Sequence, residues 1–153
     1  MALAVSAQQR FLGGDLSMLP SYEEAGTVYR DSAGKKVKPL RFLKRQGWNA
    51  VRVRLFVDPQ FANKEHQGEG VCQDLDYVIR FSKQIKKAGL ALMLDFHYSD
   101  TWADPAKQFM PKRWKDVAPE TLPDSVYTYT RHCLHRMIAA GCVPEMIQVG
   151  NEI

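Results

Sequence analysis

The amino-acid sequence predicts an α/β fold that forms the N-terminal half, about four β/α units, of a (β/α)8 TIM barrel. Three helical patterns each end at a glycine that an apolar strand pattern follows at once, namely Gly47, Gly89 and Gly141. Each helix has the length that a right-handed crossover between parallel strands needs. No glycine-rich phosphate-binding motif follows the first strand, which argues against a dinucleotide-binding sheet. A complete barrel takes eight strands and about 250 residues, so we expect this chain of 153 residues to stop at the fourth strand.

The elements up to the second strand follow from composition and spacing. Residues 10–17 predict a short strand whose two glycines allow close packing of the backbone. A loop with one helical turn is expected at 18–26, and a hairpin-like turn at 27–36. Apolar residues at helical spacing predict a helix over 37–47, which ends at its glycine. Residues 49–57 are rich in valine, leucine and phenylalanine and predict the second strand.

The middle of the chain repeats this pattern. Residues 60–71 are polar and glycine-rich, which predicts a surface loop. Asp74 is a candidate N-cap for an amphipathic helix over 74–89. The third strand is predicted at 90–97, and a long connection follows at 98–120.

The fourth strand carries the first candidate catalytic groups. A helix predicted over 123–140 leads to residues 145–153, where an apolar run reaches Gly150 and is followed by Asn151 and Glu152. In parallel α/β folds, active sites are built at the C-terminal tips of the strands. We therefore interpret Glu152 as a catalytic acid/base.

Polar side chains lie at the tips of all four predicted strands. Charged groups inside apolar strands are costly unless they are paired, so their recurrence at one end of the sheet predicts one polar pocket. The strand-tip candidates are Asp15, Arg52, Arg54, Asp95, His97, Asn151 and Glu152. The connection after the third strand adds candidates for stacking on sugar rings or for polar contacts to them, namely Tyr98, Asp100, Trp102 and Trp114.

Sugar chemistry assigns roles to these groups. Hydrolysis of a glycosidic bond with retention needs two carboxyl groups about 5–5.5 Å apart. Glu152 suits the acid/base role if its carboxyl is buried beside another carboxylate. Asn151 suits a hydrogen bond to the sugar 2-hydroxyl, and Arg52 suits the orientation of the nucleophile. Structural alternatives stay open, namely an ion-pair network for Arg52 and Arg54, packing for Trp114 and a turn cap for Asp15.

Composition excludes several classes of protein. The 21 basic and 17 acidic side chains give a net charge of +4, which is too mild and too scattered to indicate nucleic-acid binding. No stretch approaches the roughly 18 apolar residues of a membrane span. Cys72, Cys133 and Cys142 lack the spacing of a zinc site. Cys133 falls on an apolar helix face, which favours a small buried side chain, and a Cys133–Cys142 disulfide stays open.

Residues 1–7 are apolar and end in a small-x-small pattern, Val5-Ser6-Ala7, so we set residues 1–8 apart from the domain. This pattern is typical of the end of a secretory signal peptide, and a disordered, alanine-rich N-terminus is the alternative. Residues 9–153 then form a single domain.

Several sequence runs resemble glycoside hydrolase family 53, the arabinogalactan endo-β-1,4-galactanases. The most specific is Asp-Phe-His-Tyr-Ser-Asp-Thr-Trp-Ala-Asp-Pro at residues 95–105. Residues 14–19, 22–26, 51–59 and 148–153 also match the family in order and spacing. The resemblance covers about residues 11–153.

This resemblance implies a truncated catalytic domain of a retaining barrel enzyme that cleaves the β-1,4-galactan side chains of pectin. It implies that Glu152 is the acid/base with Asn151 beside it, and that Arg52 is the second-strand arginine, with Arg54 a less certain partner. The family's nucleophile is a glutamate on the seventh strand, so we expect the 153 residues by themselves to be inactive.

The remaining expectations concern ligands, partners and location. We expect no cofactor and no metal in this chain, although some family members hold calcium in later loops. We expect a polysaccharide substrate, no nucleic-acid partner, a monomer for the complete protein, and a secreted, periplasmic or cell-surface location. The alternatives are a related barrel glycosidase that acts on mannan, cellulose or xylan, and a non-catalytic carbohydrate-binding barrel.

Overall fold

Four parallel strands form one sheet in the computed structural model, which describes residues 10–153. The strands are β1 (Gly13–Asp15), β2 (Ala50–Leu55), β3 (Ala91–Phe96) and β4 (Met146–Val149). Their order in the sheet is β1-β2-β3-β4, so each strand lies beside the next one in the sequence. A doubly wound sheet reverses its strand order, whereas a barrel does not. The predicted half barrel is therefore confirmed, and the predicted segment 1–8 lies outside the described residues.

The three long predicted helices form between the strands. The α-helices are α1 (Leu19–Glu24), α2 (Pro39–Arg45), α3 (Lys64–Gly68), α4 (Leu75–Lys87) and α5 (Leu122–Ala139). Short 3-10 helices cover Pro59–Phe61, Lys112–Trp114 and Pro119–Thr121. Asp74 caps α4 as predicted, because its carboxylate accepts a hydrogen bond from the Tyr77 amide at 2.7 Å.

The segment at 60–71 lies at the surface as predicted, but it is not a loop throughout. This segment contains α3, whose first amides are capped by Asn63, since the Asn63 side chain accepts a hydrogen bond from the His66 amide at 2.7 Å. An N-cap asparagine is a start signal that the glycine-rich composition of the segment hides.

Alternate residues of the central strands separate an apolar core from a polar inner face. Val51 and Val53 of β2 are fully buried, as are Leu92 and Leu94 of β3. They pack with side chains of α4 and α5, among them Val78, Phe81, Ile85, Cys133 and Met137. The intervening positions turn Arg52, Arg54 and Asp95 to the opposite face, because side chains alternate across a strand. The strand pattern therefore builds the core and the polar face together.

The three cysteines are free thiols. Cys133 is fully buried on α5, which confirms the prediction of a small buried side chain. Burial raises the pKa of its thiol to about 11, so it is uncharged at neutral pH.

Strand β1 has three residues and is shorter than predicted. It pairs with β2 from Gly13↔Ala50 to Asp15↔Arg52. The backbones approach so closely that a Cβ atom at Gly13 would lie 1.9 Å from the carbonyl oxygen of Ala50. A Cβ atom at Gly14 would lie 3.0 Å from the ring of Trp48. Gly13 is therefore required for the first strand to reach the sheet, whereas a side chain at Gly14 needs only a small shift of the Trp48 ring.

Glu145 anchors the start of β4 to β3. Its carboxylate accepts a hydrogen bond from the Leu92 amide at 2.7 Å and forms an ion pair with Lys86. Partial burial raises the pKa of this carboxyl, but the Leu92 amide and the Lys86 ammonium outweigh burial, and the net pKa is lowered.

We predict that Gly13→Ala destabilises the protein by about 2 kcal/mol or more, because the added methyl group meets backbone rather than a movable side chain. The matched control is Gly68→Ala, where a Cβ atom has open space. Chemical denaturation measures both free energies of unfolding. Equal stabilities of the two variants would show that β1 does not need a glycine.

We predict that Glu145→Gln lowers the free energy of unfolding at neutral pH and that this deficit shrinks as pH falls. A carboxyl with a lowered folded pKa stabilises the protein above its unfolded pKa, near 4.5 here, and loses this contribution as pH falls through the folded pKa. Denaturation of both proteins between pH 7 and about pH 3 measures the difference. A deficit that is constant with pH contradicts the assignment.

Candidate active site

An ion-pair cluster joins the inner faces of the first three strands. The Arg52 guanidinium contacts Asp15 at 3.3 Å through Nη1 and pairs with Asp95 through Nη2. Arg54 Nη2 lies 3.2 Å from the other oxygen of Asp15. The Asp95 side chain is fully buried, and a buried charge is costly unless an opposite charge such as the Arg52 guanidinium pairs with it. The structure thus brings together four of the residues predicted from the strand tips.

Asn151 extends this cluster to the fourth strand. Its Oδ1 accepts hydrogen bonds from Arg52 Nη2 at 2.7 Å and from Gln148 Nε2 at 3.3 Å. Its Nδ2 donates to the backbone oxygen of Ala103 at 2.6 Å. Because both ends of the buried amide have partners, its orientation is determined by the surrounding protein.

His97 is held in one tautomer behind the ion pairs. The Ala103 amide donates to His97 Nδ1 at 3.2 Å, so this nitrogen is an acceptor and the ring proton lies on Nε2. Nε2 lies 3.2 Å from Asp95 Oδ2, without the alignment of a good hydrogen bond. Ala103 therefore binds His97 through its amide and Asn151 through its carbonyl. Since His97 contacts Asp95, and Arg52 contacts both Asp95 and Asn151, these contacts form a closed ring.

Trp102 lies beside this ring and is half-buried. The guanidinium carbon of Arg54 stands 4.5 Å from its ring centroid, and its edge contacts the rings of Phe56 and His97. The contact with a cation over its ring face stabilises the indole.

These residues line a cavity of about 470 Å³. Among the predicted residues it includes Arg52, Arg54, His97, Trp102, Asn151 and Glu152. Sequence reasoning missed the contribution of α3, which brings Glu65, His66 and Glu69 to the wall, and that of the connection after β3, which brings Ala103, Asp104 and Lys107. The N-cap pattern at Asn63 was the one available signal for α3.

Glu152 lies at the mouth of the cavity with a strained backbone. It has φ of +52°, and Tyr98, just after β3, has φ of +49°. Positive φ is costly for residues other than glycine and recurs at functional sites. Glu152 is exposed beside β4, one of the two edge strands of the sheet, so residues 10–153 do not provide the burial that would suit its acid/base role.

Tyr98 and Trp114 lie away from the cavity, which corrects their predicted place in the site. The Tyr98 ring stacks on Phe96, and its hydroxyl lies 2.7 Å from Thr130 Oγ1 on α5. Trp114 is buried and packs edge-on against Tyr129, 5.7 Å between ring centroids. Both side chains thus point to the helical layer, where packing with α5 determines their position.

Asp100 also has a place different from the predicted one. It is buried, and its two oxygens accept hydrogen bonds from the Asp58 amide at 3.0 Å and the Lys112 amide at 2.8 Å. Burial raises the pKa of its carboxyl, and the two amide donors oppose that rise. Asp58 in turn forms two hydrogen bonds with the Arg113 guanidinium, at 2.6 and 2.7 Å. Asp100 therefore ties two loops together behind the cavity.

Within residues 10–153 no group of three or more histidine, cysteine, aspartate or glutamate side chains is placed to hold a metal ion. None of the helices in the same range is long and apolar enough to cross a membrane.

The chain is similar to several known proteins over nearly all of its length. The model of glycosyl hydrolase family 53 matches residues 11–153. An arabinogalactan endo-β-1,4-galactanase of Cellvibrio japonicus is 38% identical over 143 residues, which are 93% of this chain and 36% of that protein. An endo-β-1,4-galactanase of Bacillus subtilis is 38% identical over 140 residues, 92% of this chain and 32% of that protein.

The solved catalytic domain of a family 53 protein from Ignisphaera aggregans has a similar structure, with a TM-score of 0.83 and 36% identity. The match covers 92% of this chain and 39% of that domain. The chain therefore spans between about a third and two fifths of the length of these relatives.

We predict that Arg52→Met costs about 3 kcal/mol of stability, because it leaves the buried Asp95 carboxylate without its cation. Arg136→Met is the matched control, since Arg136 pairs with Asp76 at the surface, both being about half exposed or more. An exposed pair contributes less than about 1 kcal/mol. Denaturation curves of the two variants test the difference, and equal losses would mean that the Arg52 cluster behaves as a surface ion pair.

Proposed function

The chain belongs to glycosyl hydrolase family 53, and we propose that it forms part of a retaining endo-glycosidase that hydrolyses β-1,4-galactan in type I arabinogalactan. The observation that carries the proposal is the hydrogen bond from Arg52 to Asn151, one residue before Glu152, at the mouth of a cavity that an indole ring also lines. The names of the similar proteins support the choice of galactan as substrate.

We assign the acid/base role to Glu152. Its exposed carboxyl lines the cavity, where the glycosidic oxygen of a bound chain can reach it. In the first step the protonated carboxyl gives its proton to the leaving oxygen, the bond from that oxygen to the anomeric carbon breaks, and a second carboxylate bonds to that carbon. In the second step the Glu152 carboxylate takes a proton from the water that attacks the anomeric carbon, and the bond to the second carboxylate breaks.

We assign the sugar 2-hydroxyl to Asn151. One of the two N–H groups on Nδ2 donates to Ala103, and the other is assigned to the substrate. The bonds from Arg52 and Gln148 to Oδ1 keep the amide from rotating. A donor held in this way needs no reorganisation as charge develops in the transition state.

The covalent step needs a second carboxylate about 5–5.5 Å from the first. We propose, from the resemblance to the family, that this carboxylate stands on a seventh strand; residues 10–153 contain four strands. We propose that Arg52 and Arg54 present positive charge toward that carboxylate and favour its ionised form. We propose that residues 10–153 do not include this carboxylate and that the 153-residue polypeptide alone therefore turns over no galactan.

The remaining features of the proposal come from the same resemblance. We propose a secreted, periplasmic or cell-surface protein that acts as a monomer on a polysaccharide. We propose that catalysis uses no cofactor, and that any calcium ion is bound outside this chain.

We predict that Glu152→Gln in the complete protein, as its gene encodes it, lowers kcat on galactan by about 100-fold or more, because the leaving oxygen loses its proton donor. On an aryl galactoside, whose leaving group needs no proton, we expect the rate of bond cleavage to fall by a smaller factor. Release of reducing ends measures the first effect, and release of the phenol measures the second.

Glu69→Gln is the control for this experiment, since Glu69 lines the same cavity from α3 and receives the same chemical change. A Glu152→Gln protein with full activity on galactan contradicts the assignment. Faster hydrolysis of mannan, cellulose or xylan by the wild type would identify a different barrel glycosidase, and binding without hydrolysis would identify a carbohydrate-binding barrel. Turnover by the isolated 153 residues that Glu152→Gln abolishes would contradict the need for a second carboxylate elsewhere.

A further inference from the structure

A second cavity adjoins the candidate active site and has no role in the mechanism above. Its volume is about 300 Å³. It lies between the segment that follows β2 and the connection that follows β3, and the two cavities share His66 in their walls. His66 Nδ1 lies 2.6 Å from Thr101 Oγ1, so this hydrogen-bonded pair forms the ridge between the cavities.

Three large apolar side chains around the second cavity are half exposed. Phe61 is 50% exposed, and Phe109 and Met110 are each 53% exposed. They come from two different segments, so no local sequence pattern explains why they meet. Apolar side chains grouped at the surface are a feature of interaction sites, ligand-binding grooves among them. At the rim, Lys112 Nζ stands 4.0 Å from the Phe61 ring centroid and supplies a hydrogen-bond donor beside an aromatic face.

The walls of this cavity are held in place by buried polar contacts. The Phe61 amide donates to the Asp58 carbonyl at 2.9 Å, which fixes one wall to the end of the second strand. Asp100 accepts hydrogen bonds from the amides of Asp58 and Lys112, so it joins that wall to the other. The Asp58–Arg113 ion pair adds a second connection between the same segments. A cavity whose walls are braced in this way is formed before a ligand binds, which lowers the entropic cost of binding.

We propose that the second cavity is a distal subsite that binds one galactosyl residue of the chain cleaved at Glu152. This inference rests on the proposed function. A pyranose ring has an apolar face of C–H groups that packs on aromatic side chains, and an edge of hydroxyl groups that suits Lys112 and the amide of Asn63. The volume lies at the lower end for small-molecule pockets, which favours a single ring. Continuity with the active-site cavity through His66 favours a sugar of the same chain over an unrelated ligand.

The test compares long and short substrates in the complete protein. We expect the double change Phe61→Ala and Phe109→Ala to raise KM for polymeric galactan about tenfold, the size of loss that an aromatic contact at a binding site produces. We expect kcat/KM for an aryl galactoside to change less than about twofold, because its single sugar is bound beside Glu152 and leaves the second cavity empty.

Tyr127→Ala is the matched control, since Tyr127 is a 67% exposed aromatic residue on α5 that lines neither cavity. Thermal unfolding of every variant confirms that the fold is intact. The proposal is overturned if the wild type cleaves galactan but the double variant has an unchanged KM for the polymer. It is also overturned if the double variant loses activity on both substrates equally. A wild type that cleaves no galactan overturns the proposed function as well, so the two failures are distinguishable.

Discussion

The rest of the site depends on the contacts that the guanidinium group of Arg52 makes. It reaches Asp15 on β1, Asp95 on β3 and Asn151 after β4, so one side chain connects all four strands at their C-terminal ends. A planar group with several fixed donors can hold three partners at once, which an ammonium group on a flexible chain does less well. Because Asp95 is fully buried, the arrangement is stable only with all its partners present.

The hydrogen bonds of Ala103 attach the loop after β3 to this cluster. The backbone of Ala103 binds His97 on one side and Asn151 on the other, so the loop cannot move without disturbing both. Trp102 sits next to this anchor and is held by Arg54. The Asn151 amide, the histidine tautomer and the indole are thus fixed by one short segment, as a pre-organised site requires.

A second set of contacts orders the outer loops. Asp58, Asp100 and Arg113 hold the segments after β2 and β3 together, and His66 meets Thr101 above them. None of these side chains touches the proposed acid/base, yet they shape both cavities. Loops that carry binding residues need such braces because they have no ladder of strand hydrogen bonds. The same loop contacts therefore support both the proposed active site and the proposed distal subsite.

The sequence by itself determined the strands, the long helices and the polar inner face, because these follow from periods of two and 3.6 residues along the chain. It also determined that Asp15, Arg52, Asp95 and Asn151 meet, since parallel strands bring their tips to one edge. Only the tertiary structure decided where Tyr98, Asp100 and Trp114 lie. It also decided that Glu152 is exposed and that α3 lines the cavity. Those side chains lie in segments without a repeating pattern, where packing against α5 or a distant backbone amide, rather than local spacing, sets the direction in which a side chain points.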